Sequence, residues 1–195
     1  MSLPALSTGL SDPIHQSQAV FRTVLQSMAR PGIPRAMQAD IIPPSPFSGP
    51  VAALALTLFD SNVTLLLGPT YDNAAIRSYL HLHSGVRLVG HADQADFAVT
   101  NGTEEIAFGA FKPIDPRTPH LSSTVIIQVE SLTGGQPVIL HGPGVEGNVG
   151  LCAQGLPPEF WEKWDANAAG YPRGVDVILA DNRSICGLPR TTRRA

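Results

Sequence analysis

Lysine is almost missing from this 195-residue chain, which has only Lys112 and Lys163. Lys112 precedes Pro113 in a Pro-rich stretch, and Lys163 falls between Glu162 and Trp164. Neither setting is the apolar pocket that turns a lysine into a Schiff-base nucleophile. Cysteine is as scarce: Cys152 and Cys186 are too far apart for a C-x-x-C pair and read as reduced thiols of a cytoplasmic protein. Charged residues make up 15% of the chain, against about 25% in typical soluble domains. A net charge of −3 excludes the basic field expected of a nucleic-acid binder. The longest apolar run, Val51 to Phe59, is far short of the roughly 18–20 residues that span a bilayer. Met1-Ser2-Leu3-Pro4 shows no basic region followed by an apolar segment, so no secretory signal is expected. Neither a G-x-x-x-x-G-K-[ST] phosphate loop nor a G-x-S-x-G elbow occurs, so the chain has no self-sufficient catalytic set legible in sequence.

Proline and glycine, 18 of each, occupy much of the space that charge leaves. Interface cores are depleted of charge, so the composition points to a surface covered by other subunits. A loop-rich monomer with a polar but uncharged surface is the alternative. The length suits one domain, residues 1–195, with a sizeable core.

Local signals outline an α/β chain. Ser11 or Asp12 caps a first helix, Pro13 suits its first position, Phe21, Val24, Leu25 and Met28 recur at helical spacing, and Pro31-Gly32 ends it. Ile33 to Gln38 reads as a short strand. Val51 to Phe59, apolar without alternation, reads as a buried helix, and Val63 to Leu67 as a buried strand. Asn73 to His83 has helical spacing with Gly85 as its C-cap, and Ala95 to Thr100 is a strand. Asn101 to Ser122 is a long irregular segment, of the kind that is functional or interface-forming. Thr124 to Val129 and Gln136 to Leu140 are strands, predicted to form a hairpin over Gly134-Gly135. Pro157-Pro158 opens a helix carrying Phe160, Trp161 and Trp164. A second hairpin pairs Val175–Leu179 with Ser184–Leu188 through Asp181-Asn182. Interleaved helices and strands with terminal hairpins predict a mixed sheet with helices packed on it.

Three patterns bear on chemistry. Gly142-Pro143-Gly144-Val145-Glu146-Gly147 matches G-x-G-x-x-G, but the following chain runs into Gly155 and Pro157-Pro158 and cannot open the long helix that a dinucleotide site needs. A strand-end turn is the expectation, and an independent dehydrogenase fails on the same ground. His81 and His83 would share a face on a strand but diverge by about 200° on a helix, and the helix reading makes a shared metal site poor. Asp176 is an acid inside an apolar run and must hold a partner, since a buried lone carboxylate is costly. Pro189-Arg190-Thr191-Thr192 supplies a guanidinium and two hydroxyls at a strand end. These suit phosphate or phosphonate oxygens, a salt bridge to Asp176, or an exposed tail.

Taken in order, several of these segments resemble one family. They are Phe21-Arg22 with Met28 and Pro31-Gly32, Leu58 with Asp60, His83-Ser84-Gly85, and Thr124 to Leu132. Gly142-Pro143-Gly144, Gly174-Val175-Asp176 with Ile178-Leu179, and Leu188-Pro189-Arg190-Thr191-Thr192 complete the set. The chain, from about residue 12 to 192, resembles the PhnH family of the bacterial carbon–phosphorus lyase system. Arg173 stands where an aliphatic residue is common in that family, and Leu80 to His83 and Pro119 to Ser123 also depart from its pattern.

The resemblance implies a fold similar to the large domain of PLP-dependent transferases, a mixed β-sheet with helices on both faces, without the cofactor lysine and with no cofactor or metal. It implies a homodimer that joins subunits G, I and J and acts functionally with L. Its role would lie in alkylphosphonate catabolism under phosphate starvation. There an alkylphosphonate displaces adenine from ATP to give a ribose 1-alkylphosphonate 5-triphosphate, and a separate radical enzyme later cleaves the carbon–phosphorus bond. Arg190 and Thr191 are then candidates for phosphoryl or phosphonate oxygens, and Asp176 and His83 for polar or proton-handling roles. The competing expectation is a scaffold that positions partner subunits and binds no ligand; neither membrane nor nucleic acid is an expected partner.

Overall fold

The computed structural model describes residues 8–37, 40–112, 115 and 117–195. In chain order the helices are α1 Pro13–Ala29, α2 Gly49–Leu58, α3 Ala74–His83 and α4 Phe160–Ala169. The strands are β1 Arg35–Ala36, β2 Thr64–Leu67, β3 Arg87–Val89, β4 Phe97–Asn101, β5 Thr124–Gln128, β6 Val138–His141, β7 Val149–Leu151, β8 Asp176–Ala180, β9 Ser184–Leu188 and β10 Arg193–Arg194.

Seven strands make one sheet in the order β1-β9-β8-β5-β4-β2-β3. From β3 to β8 all neighbours are parallel, and β9 runs antiparallel to both β8 and β1. Parallel strands need both faces covered, and alternate residues supply the two cores. Leu65, Val99, Ile126, Ile178 and Ile185 point to one side, where they meet Val20 and Val24 of α1, the buried α2, and Ile76 and Leu80 of α3. Ala98, Val125, Ile127, Val177, Leu179 and Cys186 point to the other. There they meet Phe160 and Trp164 of α4 and Leu140 and Leu151 of a second sheet, β10-β6-β7.

Asp12 and Gly85 cap as expected, and Ser48 and Asn73 add two further N-caps. Asp12 accepts from the His15 N–H, Ser48 from Val51 and Asn73 from Ile76, each satisfying an otherwise orphaned amide. Gly85, at φ +67°, closes α3 by donating to the Leu80 carbonyl. Gly187 lets α1 lie directly on β9, because a Cβ there would stand 2.6 Å from the Ser27 carbonyl oxygen.

One pairing differs from expectation. β5 and β6 form no hairpin: both edges of β5 are taken, by β4 and β8, and β6 belongs to the small sheet. The Gly134-Gly135 pair serves a close approach instead. Gly135 donates to the Cys152 carbonyl at 2.7 Å, and a Cβ on it would strike Ala153. The expected strand over Ile33 to Gln38 contracts to β1, with Gln38 outside the described residues. The long segment after β4 carries two short 3₁₀ turns, Phe108–Ala110 and Pro119–Leu121. Among the described residues no helix is long and apolar enough to cross a membrane.

Candidate functional site

Asp176 opens β8, and Arg190 follows the end of β9. The hairpin register sets Val177 opposite Leu188, which brings residues 176 and 190 side by side. The Arg190 Nε donates to Asp176 Oδ1 at 3.1 Å and Nη2 to Oδ2 at 2.7 Å, while the Arg190 backbone N–H donates to Oδ1 at 2.8 Å. Nη1 donates to the carbonyls of Pro119, Pro172 and Gly174 at 3.2–3.3 Å, and Nη2 also to Ser122 Oγ. All five guanidinium N–H groups therefore have protein acceptors. Of the roles open to Arg190 in the sequence, the salt bridge to Asp176 is the one formed. This clasp ties together the start of β8, the exit of β9, the Pro172–Gly174 turn and the segment before β5.

The remaining candidates lie elsewhere or play other parts. Thr191 is half-buried with its carbonyl against Gly142; the next residue, Thr192, is buried, and its carbonyl accepts from Trp164 Nε1 at 3.1 Å. His83 sits at the exposed end of α3, its ring 4.7 Å from that of Tyr79. α3 leads into β3, and β2, β4 and β5 separate β3 from β8. Four strand spacings put His83 on the order of 19 Å from the clasp, and α3 packs on the opposite face from α4. Asp176 and Arg190 thus come together, and His83 does not join them. His81 and His83 occupy a helix end, as the helical spacing of Asn73 to His83 predicts, and no group of three His, Cys, Asp or Glu among the described residues could hold a metal. Gly142, Gly144 and Gly147 occupy a turn between β6 and β7 with no helix after it, where a Cβ on Gly144 would meet the Ala29 carbonyl.

A second constellation sits where strand order reverses. The chain leaves β2 for β3 on one side and returns to β4 on the other, and α/β sheets hold ligands outside the carboxyl ends of such strands. There Glu104 accepts from the Thr70 N–H at 2.8 Å, the Thr100 hydroxyl at 2.6 Å and the Asn101 N–H at 3.2 Å. Burial alone raises its carboxyl, but these hydrogen bonds outweigh that and hold it below the ordinary value. Gly68, at the end of β2, has no room for a Cβ because the Glu104 carboxylate occupies that space. The Tyr71 hydroxyl is buried with no hydrogen-bond partner among the described residues, and burial, with the Glu104 charge second, raises its pKa. Beside them lies a cavity of about 500 Å³, lined by Leu66, Pro69, Ala98, Thr100, Glu104 and Phe111 among others. The sequence signals for this crevice were Gly68-Pro69 and Asn101-Gly102, the breakers that end two adjacent parallel strands.

The seven-stranded mixed sheet, covered on both faces and with a crevice at its switch point, defines an α/β domain. Residues 8–195 match the family described as bacterial phosphonate metabolism protein (PhnH), and the chain belongs to that family. It is 34% identical over 188 residues, 96% of this chain and 94% of the relative, to the alpha-D-ribose 1-methylphosphonate 5-triphosphate synthase subunit PhnH of Rhizobium meliloti (strain 1021). A second relative, from Stutzerimonas stutzeri and provisionally named as C-P lyase subunit protein HtxG, is 25% identical over 181 residues, covering 91% of this chain and 85% of that protein.

Proposed function

We propose that this chain is a subunit of a phosphonate ribosyl-transfer complex in alkylphosphonate catabolism. The observation that carries the reading is the 34% identity to the Rhizobium meliloti synthase subunit over 96% of the chain. In the reaction a phosphonate oxygen attacks the ribose C1′ of ATP, and the glycosidic bond breaks with its electron pair passing to adenine. The products are adenine and ribose 1-alkylphosphonate 5-triphosphate. Such a displacement depends on holding nucleophile and leaving base in line and on stabilising charge at ribose and phosphates. The chain contributes as one domain, residues 1–195, within a larger assembly.

The finer reading follows the family likeness. The chain acts in the cytoplasm during phosphate starvation, as a homodimer joined to subunits G, I and J and working with L. A stripe of exposed apolar residues on α1, Ile14, Phe21 and Leu25, supports contact with another protein. The sheet, with its one antiparallel strand β9 beside the parallel strands and helices on both faces, supports the likeness to the large domain of PLP-dependent transferases. Within the clasp, Asp176 and Arg190 serve as positioning residues, while Thr191 and His83 remain candidate ligand contacts.

The test is reconstitution. Adenine release from ATP by the partner subunits is expected to require both methylphosphonate and this chain. An undiminished rate when the chain alone is left out would overturn the proposal.

A further inference from the structure

Both lysines of the chain line one cavity of about 480 Å³, together with Arg173, Glu105, Phe108 and Phe111. In a sequence with 15% charged residues this concentration of cations is not a by-product of a generally basic surface. The volume lies within the roughly 300–1,000 Å³ of small-molecule sites. Phe108 and Phe111 are buried and belong to the core under α4, so the floor is apolar and shields the charges above it weakly.

The three cations differ in how firmly they are held. Lys112 pairs with Asp96, which immediately precedes β4 and does not line the cavity. Lys163 pairs with Glu105 at 2.8 Å, but the Glu105 side chain is 81% exposed, so this pair is screened by water and exchanges readily. The Arg173 side chain makes no hydrogen bond or ion pair with the described residues. The backbone around it, by contrast, is fixed on both sides. The carbonyls of Pro172 and Gly174 accept from Arg190 Nη1, and Asn167 bonds both backbone groups of Val175, at 2.8 and 3.0 Å. Arg190 is thus spent on protein acceptors, whereas Arg173, an exposed residue that lines the cavity, keeps its guanidinium uncommitted among the described residues.

We infer that this cavity is an oxyanion site for a phosphoryl or phosphonyl group. Arg173 and Lys163 are its principal ligands, Lys112 adds positive charge, and Glu105 acts as the gatekeeper that a bound anion displaces from Lys163. The inference rests on the proposed function only for the source of the anion, the triphosphate or the phosphonate of that reaction.

Titration calorimetry on the full-length chain, with inorganic tripolyphosphate and methylphosphonate in separate arms at low and high salt, tests it. Heat with either anion, weakening as salt rises, is expected; the anion bound identifies the source. Arg173→Gln and Lys163→Gln should each weaken binding at least about tenfold, the value of one charge-assisted hydrogen bond. Glu105→Gln should tighten it by about threefold, because it removes a weak surface competitor. If Arg173 serves only the carboxyl end of α4, Arg173→Gln lowers the Tm and leaves affinity unchanged, which overturns the site. Absence of heat with both anions at millimolar concentration overturns it too. Failure of the chain to support adenine release in the reconstituted complex would remove the proposed function while leaving a measured anion affinity intact.

Discussion

Replacing Arg190 by alanine removes one member of a nearly buried ion pair and leaves its acceptors behind. The Arg190 and Asp176 side chains are 11% and 19% exposed. Breaking a buried pair by deleting one partner costs about 3–5 kcal/mol, because the other charge is left uncompensated. The lower end applies here. Asp176 keeps the Arg190 backbone N–H at 2.8 Å, and water reaches the vacated space. Arg190→Ala should therefore cost about 3 kcal/mol.

With an m-value of roughly 2 kcal/mol per molar urea, that is a midpoint shift of about 1.5 M, followed by fluorescence of the buried Trp164. Arg190→Lys restores a charge but not the planar fork that reaches the Pro119, Pro172 and Gly174 carbonyls, and should recover about half the loss. Combined with Asp176→Asn, the two changes should fall short of additivity by about 2 kcal/mol, since the second removes the stranded charge. An Arg190→Ala loss below about 1 kcal/mol, or an additive cycle, refutes the account of the clasp.

Two further outcomes follow from single groups. Hydrogen bonds hold the Glu104 carboxyl below its ordinary 4.5 in the fold, so its stabilisation is complete above that value and is lost as pH falls through the depressed one. Tm curves of the native chain and Glu104→Gln should then converge as the pH drops below about 4.5, and curves that stay parallel would refute the assignment. Cys186 is buried with its thiol pushed up to about 12 by burial, while Cys152 is half-buried. Ellman's reagent should therefore find one accessible thiol in the native chain and a second only on unfolding; two fast thiols would count against the core placement of Cys186.

Much of the secondary structure could be read from the sequence because its determinants are local. Val63 to Leu67 and Thr124 to Val129 are short apolar runs between breakers. Asp12 with Pro13 opens α1, Asn73 to His83 carries helical spacing, and Asp181-Asn182 marks a hairpin that did form. The failed β5–β6 hairpin had an equally good local signal in Gly134-Gly135. It failed because β5 has two edges, and β4 and β8 took both.

For the site, the sequence established which groups were present and which were lacking: two lysines, no phosphate loop, an acid in an apolar strand, an arginine after the end of the next strand. Their commitments were decided in three dimensions. Arg190 carried every chemical qualification for gripping phosphate, yet the register of β8 and β9 and the Pro172–Gly174 turn supplied acceptors for its N–H groups. Lys112, Lys163 and Arg173 looked unrelated along the chain, separated by 51 and then 10 positions, and α4 gathers them at one cavity. Residue type fixes what a side chain can bond. Only packing fixes whether those bonds are already made.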